Sequence, residues 1–152
     1  MNRIAAISIG SCCLFVAVLG VTEAQHASSE AAAMNALDEF MAAFNSRDPK
    51  AWAATLNYPH VRFASGAVRV WETEKDFAGY MDFDAFAERF GWDHSAWDSR
   101  KIFQSGENKV HIAVQFSRYD KDDKKISTYE SLYIVTQVDG HWGTQSRSSF
   151  AP

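Results

Sequence analysis

KVHIAVQFSRY (Lys109–Tyr119) and KISTYESLYIVTQV (Lys125–Val138), joined by an acidic turn, Asp120-Lys121-Asp122-Asp123, decide the fold. Val110, Ile112, Val114 and Phe116 recur at every second position, the period of a strand with one face buried. His111, Ala113, Gln115, Ser117 and Tyr119 occupy the alternate face. Closing the turn symmetrically places Ile126, Thr128, Glu130, Leu132 and Ile134 on the apolar side, with Glu130 as the odd residue of that row. Tyr129, Ser131 and Tyr133 then join the polar–aromatic face, whose composition fits a subunit contact, so a homodimer through Tyr129 and Tyr133 is expected. A slip of one residue would exchange the two faces. Strand-like stretches flank this hairpin, Lys101 to Gln104 before Gly106-Glu107-Asn108 and His141 to Phe150 after Asp139-Gly140.

Upstream the period changes to that of helices. Ala33, Leu37, Phe40 or Met41, and Phe44 fall on one stripe, with Ser29 placed to cap the first turn and Glu30 suited to the helix dipole. Asp48-Pro49 opens a second helix carrying Trp52 and Leu56. From His60 the chain alternates again, Val61 and Phe63 against His60 and Arg62, turns at Ser65-Gly66, and returns through Val68 and Val70. Thr73 and Asp82 can cap two further helices, the second ending at Gly91. Helices followed by a strand meander argue for one α+β domain, because an antiparallel sheet offers one apolar face to receive the helical stripes.

With these elements in place the chain resembles the nuclear transport factor 2-like superfamily, in its SnoaL-like, ketosteroid-isomerase-like bacterial branch. The resemblance rests on the opening helix, on Phe44-Asn45-Ser46-Arg47-Asp48-Pro49-Lys50-Ala51-Trp52, on the hairpin after Tyr58-Pro59, and on the ending Val138-Asp139-Gly140-His141-Trp142-Gly143. It implies a cystatin-like cone, a curved antiparallel sheet wrapped around the long first helix, with a pocket at the open end. Members include ketosteroid isomerase, polyketide cyclases, epoxide hydrolases and non-catalytic binding or assembly domains, so the fold alone does not assign a function.

The amino terminus sets the expected compartment. Met1-Asn2-Arg3 is basic, Ile4 to Leu19 is almost continuously apolar, and Val21-Thr22-Glu23-Ala24 is a small-residue region, the layout of a secretory signal peptide. The domain organisation read from this is a leader, residues 1–24, and a single nuclear transport factor 2-like domain, residues 25–152, exported to the periplasm or secreted. A retained anchor or lipidation at Cys12 are the competing readings of the same segment. Cys12 and Cys13 are the only cysteines, so a chain cut after Ala24 has none, which excludes thiol chemistry and Cys-ligated zinc. Losing Arg3 and Glu23 leaves the net charge of −4 unchanged, a balance unsuited to sequence-independent nucleic-acid binding.

An isomerase site of the ketosteroid type needs a carboxylate base facing a Tyr and a protonated Asp. By the resemblance the base belongs near Arg62-Phe63-Ala64-Ser65, which holds no carboxylate, and the opening helix offers Phe40 and Phe44 where the tyrosine is expected. The remaining catalytic candidates are His60, His94 and Glu130, the last because an unpaired carboxylate in an apolar row would have a raised pKa. Candidate pocket residues are Arg62, Trp71, Tyr80, Phe86, Phe90, Trp92, Trp97, Arg100 and Arg147. Their aromatic density beside a few cations suits an apolar or aromatic small molecule with one polar end. The five histidines lack metal-ligand spacing, and no nucleophile elbow, phosphate loop or dinucleotide fingerprint is present, so neither metal nor cofactor is expected. The leading expectation is an exported small-ligand-binding domain. A homo-oligomeric interaction domain with a filled cone, and an isomerase, cyclase or hydrolase acting on an apolar molecule, are the alternatives.

Overall fold

The computed structural model describes residues 16–64 and 66–152; the start of the leader, both cysteines and Ser65 of the first hairpin turn lie outside them. The elements run α1 (Val16–Asn45), α2 (Pro49–Ala54), β1 (Leu56–Ala64), β2 (Ala67–Trp71), α3 (Glu74–Ala78), α4 (Phe83–Phe90), β3 (His94–Ser105), β4 (Lys109–Tyr119), β5 (Lys125–Val138) and β6 (His141–Ser149). The short helices are set by their caps. Asp48 Oδ1 accepts from the Lys50 and Ala51 amides with Pro49 at the first helical position, Thr73 accepts from Asp76, and Asp82 accepts from Ala85 at 2.9 Å. Gly91 closes α4 in the left-handed conformation, φ 62°.

Ser29 does not cap α1. The helix runs through it, and its hydroxyl lies 3.0 Å from the Gln25 carbonyl and 2.7 Å from that of Glu107, fastening α1 to the β3–β4 turn. The expected cut after Ala24 falls inside α1, upstream of Ser29, the first buried residue among those described. Among the described residues no helix is long and apolar enough to cross a membrane.

The six strands form one sheet in the order β2-β1-β6-β5-β4-β3. All neighbours are antiparallel except β1 and β6, which run parallel, so the sheet is mixed rather than wholly antiparallel. Its curved inner face receives α1 through Ala33, Ala36, Leu37, Phe40 and Met41, against Val110, Ile112, Val114 and Phe116 of β4. Each large side chain buried in this way contributes roughly 1.5–3 kcal/mol. Trp52 of α2 closes the cluster, with ring centroids 5.6 Å from Phe40, 4.9 Å from Phe44 and 4.7 Å from Phe77.

Gly143 permits a close crossing. A Cβ there would meet the Thr55 carbonyl and the Leu56 backbone at 3.0 Å, where the Thr144 amide donates to Thr55 and brings β6 to the start of β1.

The β4–β5 register differs from the symmetric one. Tyr119 pairs with Lys125, but Arg118 pairs with Ser127, leaving Ile126 as an extra residue in a bulge. Every later pairing moves by one: Phe116 faces Tyr129, Val114 faces Ser131, and Ile112 faces Tyr133. Tyr133 is therefore 2% exposed inside the cone and cannot supply an outward dimer face, while Glu130 stands exposed opposite Gln115. The first hairpin is also turned inside out relative to its apolar pattern. His60 and Arg62 are buried, whereas Phe63, Val68 and Val70 are about half exposed or more.

Candidate functional site

A cavity of about 580 Å³ opens between the carboxyl half of α1, helix α4 and the inner face of the sheet. Its floor is aromatic, built by Phe40, Phe44, Trp52, Phe116 and Tyr133, and its mouth by Tyr80, Met81, Phe86 and Phe90. The two sides meet where Phe44 abuts Phe86 at 5.9 Å.

Set into this apolar wall are arginines from four strands. The sheet register aligns Arg69 of β2, Arg62 of β1 and Arg147 of β6 in one cross-strand row that continues into Tyr133 and Ile112. Arg118 enters from β4 as the last inward residue of the Val110–Phe116 series, and Arg89 reaches the mouth from α4. Asp82 is the one acidic side chain among the lining residues. No Asp or Glu side chain of the described residues lies within ion-pair distance of Arg62, Arg118 or Arg147.

Each of the three is held differently. Arg62 Nη2 donates to the main-chain oxygens of Ala151 and Pro152 at 2.9 and 3.0 Å, while its Nε is buried without a partner among the described residues. Arg118, 6% exposed, places its guanidinium carbon 4.8 Å from the Phe86 ring and 4.9 Å from that of Tyr129, and both its Nε and Nη1 are buried without partners. Arg147 sits over Phe40 and Trp52 at 5.5 and 5.4 Å, with an unpartnered Nε. Burial, and then the neighbouring Arg147 charge, lower the Arg62 pKa to about 10; burial likewise lowers that of Arg118. Cation–π contacts recover about 0.5–2 kcal/mol each, less than the several kcal/mol of desolvating a cation. Among the described residues the charges of Arg118 and Arg147 are thus matched by no acidic side chain.

The other expected residues divide into cavity and scaffold. Arg62, Tyr80, Phe86, Phe90 and Arg147 line the cavity. Trp71 and Trp92 are buried beside it, Trp71 against His60, Phe77 and Tyr80, and Trp92 with its Nε1 donating to Ser95. Trp97 stands in the opening of β3, where it packs edge-on against Phe116 and Tyr133. Arg100 ties β3 to α1 through Asp38 at 2.7 Å and the Met34 carbonyl.

None of the three catalytic candidates lines the cavity. His60 is fully buried, and its Nδ1–H donates to the Thr144 carbonyl at 3.0 Å. Burial foremost, with the charge of Arg147, lowers its pKa to about 3, so the ring is neutral. His94 stacks on Tyr119 and pairs with Asp93 at the surface. Glu130 faces away because of the Ile126 bulge. Arg118 and Arg69 were not among the expected pocket residues. The β4 alternation carries the signal for Arg118, since it extends the apolar series by one more step of two.

The chain is thus an α+β cone with an aromatic cavity at its open end into which arginines of four strands project. Residues 29–146 match the family described as NTF2-like protein (DUF6841), and the chain belongs to that family. No curated protein matches it. An NTF2-like protein with a cystatin-like fold from Novosphingobium aromaticivorans is similar in structure, with TM-score 0.70 and 8% identity over 89% of this chain and 88% of that one. A Catenulispora acidiphila protein in complex with S-DNPA has TM-score 0.63 and 14% identity, covering 82% and 93%. A ketosteroid isomerase-like protein from Erwinia carotovora atroseptica has TM-score 0.57 and 17% identity, covering 79% and 93%. At such identities the likeness is one of fold.

Proposed function

We propose that the protein is an exported small-molecule-binding domain whose ligand lies in the cone cavity, its apolar or aromatic body against Phe40, Phe44, Trp52 and Phe86. The observation that carries this reading is the cavity of about 580 Å³ with its aromatic floor, a volume within the range of ligand pockets, roughly 300–1,000 Å³. The S-DNPA complex of the Catenulispora acidiphila neighbour supports the use of such a cone for a small molecule. The lining holds no histidine and one carboxylate, Asp82, which favours binding over proton-transfer chemistry. Thermal-shift titration with apolar acids, sterols and neutral aromatics tests it, because a ligand that binds the native state alone raises the melting temperature. A flat response across all three classes overturns it.

Export rests on the leader-like residues 1–24. Intact-mass measurement of protein recovered outside the cytoplasm is expected to give a chain starting near Gln25. A soluble cytoplasmic chain retaining Met1 rejects export.

The alternative, self-association without a ligand, moves to a different surface. The outer side of the β1–β2 hairpin exposes Phe63, Val68 and Val70, of which Val68 is 62% exposed. Light scattering of Val68→Lys beside the parent protein tests it: a parent that is monomeric at micromolar concentration removes the reading.

A further inference from the structure

We propose that the polar end of the ligand is a carboxylate on an apolar body, seated between Arg147 of β6 and Arg118 of β4 with Arg62 behind them. The inference rests on the small-molecule reading of the same cavity and names the chemical class of its ligand. Two features of the site point to an anion. The arginines converge from separate strands onto one cavity, and none of them has an Asp or Glu side-chain partner among the described residues. Buried N–H groups are left over on each of the three, two on Arg118, where a buried donor ordinarily finds an acceptor.

Their division of labour follows from what already holds them. Arg62 is engaged by the Ala151 and Pro152 carbonyls through Nη2 and supplies field rather than a free fork. Among the described residues Arg118 and Arg147 are held by aromatic faces, Phe86, Phe90 and Tyr129 for one and Phe40 and Trp52 for the other. These contacts fix the guanidinium planes and leave the forks open, the arrangement that receives a carboxylate through paired N–H donors. The same aromatic rings form the apolar wall, so a carboxylate at this point carries its hydrocarbon body directly onto Phe40, Phe44 and Trp52. A bare inorganic anion would leave that wall unused.

The test compares matched probes by calorimetry and thermal shift: benzoate, 2-naphthoate and dodecanoate, each against its primary amide, with inorganic phosphate as a separate arm. The acids are expected to bind at least about tenfold more tightly than their amides, the value of one charge-assisted hydrogen bond lost. Arg118→Gln and Arg147→Gln are each expected to lower acid binding more than amide binding and so remove that preference. Amides binding as well as acids overturn the carboxylate assignment and leave the small-molecule reading standing; no binding by either overturns both. Phosphate binding as tightly as the aromatic acids overturns the requirement for an apolar body. The acid-to-amide ratio of the parent protein decides the proposal without any variant, and an acid preference that survives both arginine substitutions places the anion elsewhere and overturns it.

Discussion

Arg147 and Arg62 are directly paired on adjacent parallel strands, two cations side by side in the sheet with no Asp or Glu side chain of the described residues in ion-pair distance of either. Like charges facing each other across a sheet are destabilising, and burial sharpens the effect by removing the water that would screen them. The site therefore carries a stability deficit in the ligand-free protein that an anion would relieve.

That deficit has a measurable sign. Replacing Arg118 with Met keeps the stem against Phe86 and Tyr129 and removes the buried charge with its two unpartnered nitrogens. Arg118→Met is expected to raise ligand-free stability by about 1 kcal/mol or more in urea unfolding. A loss of stability would show that Arg118 is paired in solution.

His60 makes the fold acid-sensitive. Its pKa falls from 6.5 in the unfolded chain to about 3 in the fold, so the neutral ring is the native form. The stability this contributes is fully present above pH 6.5 and is lost as pH falls toward 3, by up to about 1.4 kcal/mol per pH unit. In His60→Gln, which cannot protonate, unfolding followed between pH 6.5 and 4 should have a shallower pH slope than in the parent. Equal slopes would assign the acid loss to other groups.

Trp52 and Glu130 mark opposite ends of the energetic range. Trp52→Ala removes the ring shared by Phe40, Phe44, Phe77 and Phe83 and is expected to cost about 3–5 kcal/mol. Glu130→Gln changes an exposed side chain and is expected to stay within about 0.5 kcal/mol. Paired melting curves check both, and a large effect at Glu130 would contradict the bulged register.

Deleting Ile126 tests that register directly. Without the extra residue Lys125 adjoins Ser127, so the pairings of Tyr119 with Lys125 and of Arg118 with Ser127 follow one another without a bulge, and Tyr129, Ser131 and Tyr133 stay inward. The variant is expected to keep cooperative unfolding and native near-ultraviolet circular dichroism. Loss of both would contradict the described register.

The same bulge explains what could and could not be read from the sequence. Caps are local chemistry, so Asp48, Thr73, Asp82 and Gly91 marked their helices, and the α1 stripe from Ala33 to Phe44 announced its buried face. The register of β4 against β5 is not local. Nothing in Asp120–Lys124 distinguishes a symmetric closure from one with Ile126 left over; only packing of Tyr133 against Phe40 and Trp97 selects the second. The β1–β2 hairpin misleads for a related reason: Arg62 and His60 are polar by composition yet face inward, because the cavity and not the apolar pattern determines their side. Five of the expected pocket residues reached the cavity, while the uncompensated arginine cluster emerged only when four strands were placed beside one another.

The position of β6 gives the sheet an order of assembly. The last strand of the chain lies between β1 and β5, so the β1–β2 hairpin has no edge to join until β6 is in place. The meander β3 to β6 can form from contacts close in sequence, whereas joining β1 to β6 closes a loop of roughly eighty residues and belongs late in folding. Arg62 meets Arg147 in that same step, so two like charges are brought together as the last seam of the sheet closes, and the cavity they line is complete only then.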